Sequence, residues 1–134
     1  MIKQFTQGTA TDAELFQSIG NWAVSQSVHE QLGVSVTGNS GDLWFISFES
    51  DLPVGFAQMR FMKNRTGHFR YLYSESYKAK LDLGNAVIKA AQCAKIKSIF
   101  ANERRDSPVM QHFEFKQTTD SGKTKFCRWE RSFT

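Results

Sequence analysis

The sequence predicts one α/β (α+β) domain over residues 1–134, built on a mixed, mostly antiparallel sheet of about six strands flanked by helices. Three observations lead there. Residues 43–74 hold three aromatic-rich runs separated by turn residues, the pattern of a β-meander. Residues 70–94 pass from strand-like to helical periodicity without a break. Residues 97–131 return to short apolar runs, the first close enough to the helix to complete a right-handed βαβ crossover.

Each element has local grounds. Residues 1–9 are polar and read as a short first strand or a loose end. Thr11 and Glu14 have capping-box spacing, and Leu15, Phe16, Ile19, Trp22 and Ala23 form an apolar stripe behind them, so a helix is expected over 12–28. Residues 29–42, with Gly33, Gly38 and Gly41, read as a loop or a broken second helix. Strands follow at 43–49, 54–61 and 68–74, joined by turns at 50–53 and 63–67. Gly55 inside the second of these predicts a bulge or a close backbone approach. Leu81, Gly84, Val87, Ile88 and Ala91 share one face of a helix that begins near Lys80. A strand at 97–101 should lie parallel to 69–74. A loop with one or two helical turns is expected over 102–111, with Pro108 near a helix start. A hairpin then pairs 113–117 with 125–131 around a turn at 118–123.

Composition narrows the class. Hydrophobic residues at 40% and charged residues at 22% are ordinary for a globular chain, and 12 Phe with 3 Trp argue against disorder. No apolar run reaches membrane-spanning length and no signal-peptide pattern opens the chain, so a cytoplasmic location is expected. Cys93 and Cys127 fall in a predicted helix and strand and read as buried, reduced thiols. Charge is divided unevenly. Residues 1–59 carry one base, Lys3, against six acids, whereas residues 60–134 carry sixteen bases against seven acids. A basic half of this kind suits an anionic partner such as coenzyme A, nucleic acid or an acidic protein surface; the plainer reading is a solvated face that aids solubility.

The strand-to-helix junction is where chemistry is expected. A strand entering a helix leaves bare amides that attract anions, phosphates above all. Lys78 and Lys80 oppose the helix dipole there unless an anion neutralises them, and otherwise simply hang in water.

The run from Leu72 through Ser74, Ser76, Lys78, Lys80, Asp82, Leu83, Gly84, Asn85 and Ala86 to Ile88 resembles the strand, turn and helix of the GNAT superfamily of N-acetyltransferases. That family carries an Arg/Gln-x-x-Gly-x-Gly/Ala signature whose amides hold the coenzyme A pyrophosphate. The matching positions here are Ala79, Lys80, Leu81, Asp82, Leu83 and Gly84; only the last glycine is kept. The Val-Gly-Phe-Ala run at 54–57 also resembles the family, and the order of elements matches it from about residue 10 to 131.

The resemblance implies an acetyltransferase-like sheet splayed between the strands at 68–74 and 97–101. It implies an acyl-CoA dependent N-acyltransferase that takes acetyl-CoA or another acyl-CoA and an amine acceptor, with no metal. Amides of residues 79–85 would cradle the pyrophosphate, backbone at Tyr73 or Ser74 would meet the thioester carbonyl, and Asn102 would face the pantetheine arm. The family's acidic tyrosine falls on Met110, leaving His112 as the nearest titratable substitute, against a plainer role as an exposed histidine. Glu49, Glu75, His68 and Tyr73, at strand ends near the splay, are the candidate bases. Asp82 is the objection, because a carboxylate in the first helical turn holds the place and sign of a phosphate.

Other chemistries lack their patterns. His29, His68 and His112 have no metal-ligand spacing, and neither a nucleophile elbow nor a Walker loop is present. The rival is a non-catalytic module on the same fold, comparable to small phage proteins of virion assembly or nucleic-acid modification. It would use basic residues of 60–134 to hold nucleic acid or a protein partner. Phe61, Phe69, Tyr71 and Tyr73 interleave with Arg60, Arg65 and Arg70 as a single-strand platform would, although alternating strand aromatics are more often core.

Overall fold

Alternation along the strands assigns each side chain to one of two faces, and the computed structural model, which describes residues 1–118 and 125–133, shows both faces buried against helices. In chain order the elements are β1 (Ile2–Thr6), α1 (Asp12–Ala23), α2 (Gln26–Leu32), β2 (Leu43–Glu49), β3 (Leu52–Met62), a short 3-10 turn (Lys63–Arg65), β4 (Thr66–Ser74), α3 (Tyr77–Cys93), β5 (Ser98–Arg104), α4 (Pro108–His112), β6 (Lys116–Gln117) and β7 (Phe126–Ser132). The strands form one sheet in the order β1-β2-β3-β4-β5-β7-β6. Among the described strands only β4 and β5 run parallel, as the crossover through α3 requires.

Strand β2 shows how the layers are made. Leu43 and Phe45 join Met59, Phe69, Leu83 and Val87 in a core under α3, while Trp44 and Ile46 join Leu15, Ile19 and Phe56 in a core under α1 and α2. A strand buried on both faces reads as a continuous apolar run, which is why the sequence marks it so clearly. The core under α1 and α2 is closed by aromatic packing; Trp22 stacks on Phe56 with ring centroids 5.1 Å apart.

Gly55 meets both of its expectations. The β2–β3 register slips between Ser47 and Phe48, leaving Val54 as the extra residue of a bulge. A side chain on Gly55 would place its Cβ 2.8 Å from both Ser74 Cβ and the Tyr73 carbonyl oxygen.

Elsewhere the structure redraws boundaries for visible reasons. The expected helix over 12–28 is two helices: Ser25 caps α2 by accepting from the Val28 amide, and the His29 ring bonds the Ala23 carbonyl at 2.8 Å. The capping box does not form. Asp12 accepts from the Gly8 amide, Glu14 pairs with Lys3, and Thr11 makes no side-chain cap. The β2–β3 turn is tighter than expected, with Ser50 and Asp51 both left-handed. Helix α3 begins at Tyr77 rather than near Lys80, capped by Ser76. Strand β5 runs on to Arg104, so Asn102 lies inside it. Cys93 is exposed rather than buried, whereas Cys127 is buried. Lys116 and Gln117 pair with β7, whereas residues 119–123 of the expected turn lie outside the described residues. Among the described residues no helix is long and apolar enough to cross a membrane.

Candidate active site

Strands β4 and β5 part company. They are paired only at Thr66–Ser98, Gly67–Ile99 and His68–Phe100, and past those positions the facing edges of 69–74 and 101–104 are not joined. A bulge helps to open the fork: Gln58 pairs with Tyr71 and Met59 with Phe69, leaving Arg70 as the extra residue that turns β4 aside. The Arg70 guanidinium pins that bulge, donating to Gln58 Oε1 at 2.9 Å, Thr37 Oγ1 at 3.0 Å and the Tyr71 hydroxyl at 2.8 Å. Asp42, nearly inaccessible, receives both ends of the Arg60 fork at 2.8 Å and lies 3.6 Å from Arg70. Burial pushes its carboxyl up, but the Arg60 bonds, the Asn39 amide and the two positive charges outweigh this and hold it below the usual range.

At the apex His68 stacks on Phe100, centroids 4.3 Å apart, while Arg128 lies 3.9 Å over the same ring. Burial first, then repulsion by Arg70, Arg60 and Arg128, lowers the His68 pKa to about 4. His68 is therefore neutral at pH 7 and a weak base.

The mouth of the fork is a cavity of about 250 Å³ between the end of β4, the start of α3, β5 and α4; Leu72, Tyr77, Lys80, Glu103 and Ser107 are among its lining residues. That is below the ~300–1,000 Å³ of pockets that enclose a whole ligand, and suits one arm of an extended one. Glu103 follows Ile99 and Ala101 on the inward face of β5. Burial raises its pKa, partly offset by the Arg104 amide and by Lys80 and Arg104. Sequence reasoning missed Glu103, Tyr77 and Ser107; an acid at the third inward position of an apolar strand was the available signal.

At the start of α3 three serine-mediated bonds consume amides. Ser76 Oγ accepts from Ala79, Ser74 Oγ accepts from Ser76, and Lys80 donates to the Ser76 carbonyl. Among the described residues the Tyr77 and Lys78 amides have no protein acceptor. Amides 81–85, expected in a cradle, lie within the α3 ladder. Ala79, Leu83 and Gly84 face the core, Leu81 packs against it, and Asn85 is exposed. A Cβ on Gly84 would collide with the Phe113 ring, so this glycine is kept for packing. Because α3 starts early, Asp82 sits in the second turn, where it pairs with the exposed Lys78 at 3.2 Å. Such exposed pairs contribute under about 1 kcal/mol, so Lys78 is readily released to another anion.

The remaining residues are spread around the fork. Tyr73 is buried, its hydroxyl 3.4 Å from Glu75 Oε1; burial, then Glu75, raises the phenol pKa and keeps it protonated. Glu75 is exposed just past β4. Glu49 is exposed at the end of β2, two strands away from β4. Asn102 is exposed on β5 beyond the fork, on the face opposite Ala101 and Glu103. His112 ends α4, exposed and edge-on to Phe113, and Met110 is core. Of the expected stacking platform, Phe69, Tyr71 and Tyr73 are buried and only Phe61 is exposed. No group of three or more His, Cys, Asp or Glu gathers as a metal site among the described residues.

No family model matches the sequence, and no curated protein does. Solved structures match throughout. A probable acetyltransferase from Staphylococcus epidermidis superposes with TM-score 0.71 at 11% identity, covering 100% of both chains. The PaiA N-acetyltransferase of Thermoplasma acidophilum, solved in complex with coenzyme A, gives 0.60 at 14% identity over 99% of each. The ribosomal-protein-alanine N-acetyltransferase of Brucella melitensis gives 0.66 at 12% identity over 99% of each. The chain has the GNAT fold. At these identities the likeness is one of architecture.

Proposed function

We propose that this GNAT-fold protein is an acyl-CoA dependent N-acyltransferase, with the acyl donor threaded between β4 and β5 and an amine as acceptor. The observation that carries the reading is the parting of β4 and β5 after three paired positions, with the start of α3 at the mouth. The residues present fit the cofactor in a shifted way. The bare amides of Tyr77 and Lys78, with the Lys78 and Lys80 ammonium groups, would hold the pyrophosphate, in place of the 79–85 amides. Leu72, which lines the mouth of the fork, would border the channel for the pantetheine arm. When bound, the cofactor supplies a thioester as acyl donor. The free edge of β4 near Tyr73 offers backbone donors to the carbonyl oxygen, where negative charge develops. Glu75 takes the proton of the attacking amine, and Tyr73, protonated and hydrogen-bonded to Glu75, orients that carboxylate.

A non-catalytic module on the same fold is the second reading, and Met110 favours it: the family's acid position is filled by a core thioether that cannot donate a proton. Release of free thiol from acetyl-CoA across a panel of small-molecule and peptide amines separates the two. Turnover that falls at least ~100-fold in Glu75→Gln supports the enzyme. Silence with every amine, despite cofactor binding, leaves the module.

A further inference from the structure

The opposite end of the sheet holds a second concavity, about 20 Å from the fork by the length of β5. It encloses about 510 Å³ where the 3-10 turn, the α3–β5 loop and the end of β7 meet. Four cations line it, Arg65, Lys95, Lys97 and Arg131, with Gln92 and Phe133 beside them, and no carboxylate among the described lining residues.

The surrounding bonds hold these groups in place. Arg65 donates Nε and a terminal nitrogen to the Lys95 carbonyl at 3.0 and 2.7 Å. Arg131 donates to the Phe113 carbonyl at 3.1 Å and lies 5.3 Å over the Phe133 ring. The Lys97 amide bonds the Arg65 carbonyl at 2.7 Å, and the Phe133 amide bonds the Lys97 carbonyl at 2.8 Å. Helix α3 ends here in a Schellman motif, with Lys95 donating to Gln92 and Ile96 to Ala91. The residue after the cap in that motif is left-handed and usually glycine, yet here it is Lys95, with φ 60°. Asn64 and Arg65, at φ 62° and 57°, are left-handed as well. A plain capping role explains Arg65. It does not explain why three further positive groups gather round it, since like charges repel one another.

We propose that this concavity binds the phosphate backbone of a single-stranded nucleic acid. Four cations exceed what one phosphate, at about −1.5 to −2, would neutralise, and successive phosphates supply the rest. Phe133, partly buried with Arg131 over its ring, keeps an exposed portion beside them against which an unpaired base packs. The site stands apart from the fork and does not depend on acyl-CoA binding.

The test is anisotropy of a labelled oligothymidylate between 50 and 200 mM salt. Contact with four phosphates predicts a slope of log K against log salt near ~−3. Lys95→Gly removes one charge at a position where glycine suits the backbone, and should weaken binding at least ~3-fold while lowering the slope by ~0.7. Lys97→Gln should do the same, and Lys3→Gln, on the far strand, should change neither. Three results would overturn the proposal: no binding at 50 mM salt, wild-type binding by both Lys95→Gly and Lys97→Gln, or displacement by inorganic phosphate beyond its ionic-strength effect. The last would assign the site to free phosphate.

Discussion

Gly84 packs so closely on the Phe113 ring that there is no room between them for a methyl group. This glycine is part of the contact that fastens the end of α4 to α3. Gly84→Ala should destabilise the fold by about 1–3 kcal/mol through overpacking, outweighing the better helix propensity of alanine. Urea unfolding checks this, and Phe113→Leu in the same chain should recover part of the loss, because the ring is what the methyl meets.

Asp42 is the hub for Arg60 and Arg70, and through Arg70 it supports the bulge that opens the fork. Asp42→Asn leaves two guanidinium groups without their counter-charge and should cost about 3–5 kcal/mol. Its depressed pKa also has a pH signature. The stabilisation it gives is complete above the ordinary value of 3.8 and is lost as pH falls through the lower folded value. Wild-type chemical denaturation between pH 2 and 4, below the His68 window, should show that loss, and Asp42→Asn should lack it.

Much of this architecture is legible from residue pattern. Strand β2 begins and ends where its aromatic run does, at Leu43 and Glu49, because Leu43 to Ile46 are buried on both faces and the exposed Glu49 closes the run. Gly55 announced its bulge for a similar reason: only a missing side chain tolerates Ser74 that close. The start of α3 was less visible. Tyr77, Lys78 and Lys80 present no apolar stripe, and the signal was the Ser76 hydroxyl three residues ahead of Ala79, a cap without its usual acidic partner. The fork has no sequence signature of its own, since it depends on where β4 and β5 stop pairing, and that follows from the Arg70 bulge and its partners at Thr37 and Gln58, more than ten residues away.

His68 should make the fold acid-sensitive in a second window. Its folded pKa of about 4 lies below the ordinary 6.5. Between those values the unfolded chain binds the proton and the native chain does not, so stability falls as pH drops from 6.5 toward 4. After discounting for partial exposure the loss is about 1–2 kcal/mol. His68→Phe keeps the stack on Phe100 and should flatten the melting temperature across that range.

Lys95→Gly has a consequence for stability as well as for charge. Relief of the left-handed strain, set against the entropy of glycine, should leave the variant as stable as wild type or more stable by up to about 1 kcal/mol. Thermal melts at 0.5 M salt, where the neighbouring cations are screened, would isolate the backbone effect.

On the proposed function, the fork between β4 and β5 receives an acyl-CoA whose pyrophosphate rests at the start of α3. Calorimetric titration of the wild-type protein and of Lys80→Glu with acetyl-CoA tests it most directly. The account predicts one-to-one binding by the wild type, weakened at least ~10-fold in the variant, since a reversed charge beside the bare amides opposes the phosphates. No heat at millimolar acetyl-CoA, or equal affinity in the two proteins, would contradict it.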